Sequence, residues 1–148
     1  MIYKEDSILI DQDLSRAFQV ACNIERLSDF IPEYKNVKCL DRKNDEMILE
    51  AKIQLLGLIP ISFISSGIIK ENESINYEQT KGPLKGLQTK WKFEEVDKNT
   101  TKLSIVHTLN IKIPLIGNLI EKFVYALFIK SLAKEVLLCM KKEVEENQ

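Results

Sequence analysis

Two stretches of this chain alternate with a period of two. Leu87, Thr89, Trp91 and Phe93 interleave with Gln88, Lys90, Lys92 and Glu94. Leu103, Ile105, His107, Leu109 and Ile111 interleave with Ser104, Val106, Thr108, Asn110 and Lys112. Successive side chains of a strand point to opposite faces, so the pattern specifies half-buried antiparallel strands with one apolar face. Met47, Leu49, Ala51, Ile53 and Leu55 repeat it. Ile61 to Ile69 is less regular, with Phe63 on one face and Ile64 and Ile68 on the other; Ser74 to Lys81 carries Ile75 and Tyr77. Lys38-Cys39-Leu40-Asp41 and Ser7-Ile8-Leu9-Ile10 are two further short strands.

The connections between these strands alternate in chemistry. Arg42-Lys43-Asn44-Asp45-Glu46, Lys70-Glu71-Asn72-Glu73 and Asp97-Lys98-Asn99-Thr100 are polar. Leu56-Gly57-Leu58-Ile59-Pro60, Gly82-Pro83-Leu84 and Ile113-Pro114-Leu115-Ile116-Gly117 are mostly apolar. In an up-and-down sheet, alternate turns lie at opposite ends. One end is therefore expected to be wet and the other greasy. Loops normally face water, so clustered apolar loops predict a cavity mouth, a partner surface or a membrane contact. Leu58, Ile59, Leu84, Leu115, Ile116 and Phe123 are the candidates for that role.

Helical signals flank the sheet. Asp11 and Asp13 offer caps for a helix from Leu14 to Ala21, with Leu14, Ala17, Phe18 and Ala21 on one face. A break at Cys22-Asn23 precedes a second short helix over about 24–29, stopped at Phe30-Ile31-Pro32 because the residue before proline is pushed out of the helical region. A long helix is predicted from Leu115 to Glu146. Tyr125, Ile129, Leu132, Ala133, Val136 and Met140 form its apolar stripe, with Lys130, Lys134, Lys141 and Glu145 opposite. Its first half is apolar all round, which demands cover on every side.

The 148 residues suit one domain, 1–148. A 45% hydrophobic, 29% charged composition excludes disorder, and a net charge of -1 argues against a binder that neutralises nucleic-acid phosphates. Cys22, Cys39 and Cys139 have no paired spacing and read as buried, reduced thiols. Met1-Ile2-Tyr3-Lys4-Glu5-Asp6 leads directly into a strand-like pattern without a leader. No apolar run reaches the roughly 18 to 20 residues that span a bilayer. The expected location is the cytoplasm, peripheral to a membrane if the apolar loops dock there.

One strand, two short helices, six strands and a long helix make an α+β chain, a curved sheet of about seven strands around the C-terminal helix. That order resembles the START-like (SRPBCC, helix-grip) superfamily, in its polyketide cyclase/coenzyme Q-binding protein branch. The matching stretches are Phe18 through Asp29-Phe30-Ile31-Pro32-Glu33-Tyr34 with Val37, Gly82-Pro83-Leu84 with Leu87, Trp91-Lys92-Phe93, and Ile113-Pro114-Leu115-Ile116-Gly117. The resemblance implies a deep apolar cavity that takes quinones, isoprenoids or other lipid-like molecules. It also implies two alternatives: an aromatic polyketide cyclase or dehydratase, and a ribosome-association toxin-like interaction module. It carries no shared catalytic motif, so no catalytic residue is assigned.

His107, the only histidine, shares a face with Ile105 and Leu109. The plain reading is a core histidine with one hydrogen-bond partner. The sharper one is a polar anchor for a ligand, since an apolar pocket needs few such groups. No second titratable group obviously shares this face. Phe63, Tyr77, Trp91, Phe93, His107, Tyr125, Ile129 and Leu132 are the candidate lining, against ordinary core packing of the aromatics. One histidine and scattered cysteines do not supply the three or four ligands zinc needs, and no cofactor motif is present. Lys81, Lys85, Lys90 and Lys92 form a modest basic cluster, either a solvated surface or a contact for anionic headgroups. The expected partner is a hydrophobic small molecule, with a membrane surface or a second copy at the apolar end.

Overall fold

The structure is a computed structural model and describes residues 2–55, 59–109 and 130–147. The strands are β1 (Ile2–Ile10), β2 (Tyr34–Lys43), β3 (Glu46–Leu55), β4 (Ile59–Lys70), β5 (Ser74–Lys81), β6 (Gln88–Asp97) and β7 (Thr100–Leu109). Helix α1 (Leu14–Cys22), a 3₁₀ turn (Ile24–Arg26) and the single-turn α2 (Leu27–Phe30) follow β1; α3 (Lys130–Glu146) closes the described chain. The seven described strands form one antiparallel sheet in the order β1-β7-β6-β5-β4-β3-β2. This is the helix-grip fold.

Local chemistry sets most boundaries. The Asp13 carboxylate accepts from the Arg16 amide at 3.2 Å and caps α1. Ala17, Phe18 and Ala21 bury the predicted face. The second helix divides into a 3₁₀ turn and one α turn. Ile31, before Pro32, is already extended at φ -108° and ψ 104°. Asn44 and Asn72 take positive φ in the polar turns, a conformation asparagine tolerates. Register shifts in β2, β4–β5 and β6–β7 bend the sheet around α3.

The first strand is longer than its apolar residues suggest. It runs from Ile2, through Lys4, Glu5 and Asp6, because each residue finds a ladder partner on β7. Ile8 and Ile10 face the core, so Lys4 and Asp6 share their face. Lys4 stands directly opposite His107 and Asp6 opposite Ile105. Titratable groups therefore do share the His107 face, contrary to the sequence expectation.

Helix α3 buries Ala133, Val136 and Met140 as its stripe requires, with Leu137 and Val144 extending it. Tyr125 and Ile129 lie outside the described residues. Lys141 and Glu145 are not on a free polar side. Lys141 Nζ donates to the Leu9 carbonyl at 2.8 Å and to Glu145 at 2.5 Å. The Asp11 amide donates to Glu145 at 2.7 Å. The two residues flank the buried stripe and fasten α3 to the end of β1. Phe18, Phe93, Leu103, Met140 and Val144 pack this part of the core. Each such fully buried side chain contributes about 1.5–3 kcal/mol.

Candidate functional site

The other part of the core is hollow. A cavity of about 120 Å³ lies between the concave sheet face, the 3₁₀–α2 segment and α3. Small side chains on neighbouring strands excavate it. Ala51 on β3 and Ser65 on β4 both line it, and Thr89 lies beyond them on β6. Gly67, further along β4, is outside the lining: a Cβ there would lie 2.8 Å from Met47 Cε and 3.2 Å from Tyr77 Cδ1. Its hydrogen lets these two side chains cross.

Most of the wall is apolar, with Ile24, Leu27, Val37, Leu49, Ile53 and Ile61 around Trp91. No charged residue stands among the described lining residues. The polar members are Tyr34, Ser65, Tyr77, Gln79, Thr89 and His107. Three of these are direct cross-strand neighbours: His107 opposes Thr89, and Thr89 opposes Tyr77. They draw a polar seam across the concave face, roughly 10 Å from first backbone to last at the usual strand spacing.

His107 is only 7% exposed, and its Nδ1 is buried with no partner among the described residues. Burial pushes its pKa down to about 4, so the ring is neutral near pH 7. Burial also pushes the Tyr77 and Tyr34 phenols well above the ordinary range, and the neighbouring Tyr34 adds to the rise at Tyr77. Tyr77 meets Trp91 edge-on at 6.5 Å between ring centroids. Cys22, half-buried, is raised to about 11 chiefly by burial and stays a thiol.

The loop between β5 and β6 closes one side of the cavity through Leu84 and Leu87. Gln79, 5% exposed, holds it. Its backbone amide donates to the Leu87 carbonyl at 2.9 Å, its backbone carbonyl accepts from Gly86 at 2.8 Å, and its Oε1 accepts from the Leu84 amide at 2.7 Å. Gly82 sits at φ 131°, and a Cβ there would lie 2.7 Å from Phe63 Cβ. The meander puts this loop at the same end as the last residue of β3 and the first of β4, away from the Asn44 and Asn72 turns.

Of the residues singled out from sequence, Phe63, Tyr77, Trp91, His107, Leu132 and Leu84 line the cavity. Phe93 does not; it packs on Phe18 with ring centroids 5.1 Å apart. Leu58, Leu115, Ile116, Phe123, Tyr125 and Ile129 lie outside the described residues, as does the side chain of Ile59. The basic cluster is divided. Lys90 and Lys92 point to the convex face, where Lys92 pairs with Glu5 at 3.1 Å, while Lys81 and Lys85 stay near the loop. Of the polar lining, sequence reasoning missed Tyr34, Ser65, Gln79 and Thr89. Gln79 shares parity with Ile75 and Tyr77 and was legible; a bulge beside Tyr34 hid its shared face with Val37. Among the described residues no group of three His, Cys, Asp or Glu side chains is placed to hold a metal, and no described helix is long and apolar enough to cross a membrane.

These features define a helix-grip protein with an internal cavity whose described lining carries no charged residue. The family model for polyketide cyclase / dehydrase and lipid transport matches residues 10–132, and the chain belongs to that family. Among solved structures it is similar to the Zhui aromatase/cyclase from Streptomyces sp. R1128, with a TM-score of 0.85 and 13% identity over 97% of this chain and 93% of that one. A protein from Thermus thermophilus gives 0.81 and 15% identity over 97% of each chain. A START superfamily protein from Mycobacterium smegmatis gives 0.75 and 17% identity over 95% of this chain and 97% of that one. At these identities the likenesses establish the fold. No curated protein sequence matches the chain.

Proposed function

We propose that this protein binds a hydrophobic small molecule between the sheet and the C-terminal helix, as a carrier or sensor. A quinone, an isoprenoid or another lipid-like molecule is the ligand class. The observation that carries the reading is a mainly apolar cavity with no charge among its described lining residues and one buried imidazole nitrogen left without a partner among the described residues. Desolvation drives binding: each 100 Å² of apolar ligand surface buried contributes about 2.5 kcal/mol before entropy costs. The test is solvent extraction of the purified protein followed by mass spectrometry, with titration of quinones and lipids read by melting temperature. Trp91, the only tryptophan, lines the cavity and reports occupancy by its emission. A co-extracted lipid-like molecule and a rise in melting temperature are expected. An empty protein, unmoved by the whole panel, refutes the reading.

A second reading is an aromatic polyketide cyclase. The shared fold with an aromatase/cyclase and the meeting of His107 with two phenols in one cavity favour it. It requires that His107→Ala abolish turnover while sparing binding.

A further inference from the structure

The cavity's chemistry narrows what it accepts, and this narrowing rests on the binding reading above. A buried polar group without a partner is costly, and a guest that satisfies it gains relative to one that does not. His107 Nδ1 is such a group. A neutral imidazole nitrogen is either a donor or an acceptor according to its tautomer. A hydroxyl serves both cases, because it donates and accepts; a carbonyl serves one. Thr89 and Tyr77, next along the seam, also carry hydroxyls that do both.

Shape and charge set the remaining limits. An apolar cavity of roughly 150 Å³ is known to accept benzene, and this one measures about 120 Å³ between Trp91, Phe63 and Tyr77. One aromatic ring is therefore the natural occupant, with any tail directed past Leu84 and Leu87. A carboxylate or phosphate would enter a wall with no described cation, beside a histidine whose burial disfavours its charged form. Lys4, although on the same face opposite His107, is exposed and does not line the cavity.

We propose that the cavity selects a neutral, hydroxylated single aromatic ring, a phenol or hydroquinone head group, whose hydroxyl pairs with His107 Nδ1 at one end of the His107–Thr89–Tyr77 seam. The test titrates three matched probes, 4-ethylphenol, ethylbenzene and 4-ethylbenzoate, at pH 7.5, followed by Trp91 emission and calorimetry. The phenol is expected to bind about fivefold more tightly than ethylbenzene, the ratio for one net hydrogen bond. The benzoate is expected to bind at least tenfold more weakly than the phenol. His107→Phe should erase the preference for the phenol over ethylbenzene, and His107→Gln, which keeps a polar group, should retain part of it. Equal binding of phenol and ethylbenzene to the unaltered protein, or tighter binding of the benzoate, overturns the proposal but leaves the cavity a binding site. A folded protein that takes none of the three overturns both. Because the unaltered protein already decides selectivity, a His107→Phe chain that fails to fold does not rescue the proposal.

Discussion

Replacing His107 with glutamine should flatten the acid side of this protein's stability profile. The folded state holds the imidazole near a pKa of about 4, by burial, whereas an unfolded chain holds histidine near about 6.5. Between these values the unfolded state binds the extra proton, so folding weakens as pH falls. The contribution is complete above about pH 6.5, declines through the window, and levels off below about pH 4. At 1.36 kcal/mol per pH unit, roughly 3 kcal/mol disappears between pH 7.5 and pH 4. Asp6 and Lys4 on the adjoining strand are present in both proteins, so the comparison isolates the imidazole. Urea denaturation at half-unit steps from pH 4 to pH 7.5 measures the difference. The unaltered protein should lose ~3 kcal/mol more than His107→Gln across this range. Parallel profiles would refute the reasoning, since they would mean that the imidazole meets water or a carboxylate in the folded state.

Two further tests address the loop that walls the cavity. Gly82→Ala adds a Cβ 2.7 Å from Phe63 Cβ at φ 131°, whereas Gly86→Ala has φ 94° but open space around it. Thermal melts should therefore place Gly82→Ala below Gly86→Ala, with the latter losing only the ~1 kcal/mol of its backbone conformation. Gln79→Leu strands the Leu84 amide, for a cost of about 1–3 kcal/mol. Hydrogen exchange should accelerate at Leu84 while the β6–β7 ladder keeps its protection; unchanged exchange at Leu84 would show that the Gln79 side chain does not hold the loop.

The meander was legible because its period-two runs survive in β3, β6 and β7, and because alternating turn chemistry marks its two ends. Asp13 and Pro32 announced the ends of the first helices for local steric and hydrogen-bonding reasons. Other features have no local signal. Lys4-Glu5-Asp6 belongs to a strand only because β7 supplies a ladder, a choice made by tertiary structure over propensity. Tyr34 and Val37 share a face three residues apart because a bulge intervenes. Phe93 looked identical to Trp91 by parity, yet Phe18 of α1 covers it, and only the placement of α1 separates core from cavity. Lys141 and Glu145 read as solvated charges because nothing in a helical wheel reveals the β1 carbonyl and Asp11 amide they meet.

The two halves of the core divide the work of folding and binding along the strand direction. Relative to a core packed solid, a cavity of about 120 Å³ forgoes ~3 kcal/mol of packing at about 24 cal/mol per Å³. A domain with a stability of about 5–15 kcal/mol tolerates that only if the rest is densely packed. The packed remainder lies toward the polar turns: Phe18 against Phe93, Leu103 at the centre, and Met140 and Val144 of α3, with Lys141 and Glu145 tying the helix to β1. The hollow lies toward the apolar loops, where Ala51 and Ser65 withhold the volume that larger residues would fill. A guest that fills this space and satisfies His107 would return much of the missing packing, so ligand binding and stability are expected to be coupled through the same residues. That coupling distinguishes a retained cavity from an ordinary packing defect: a defect has no reason to bring two phenols, the lone tryptophan and an imidazole whose Nδ1 has no partner among the described residues to its wall.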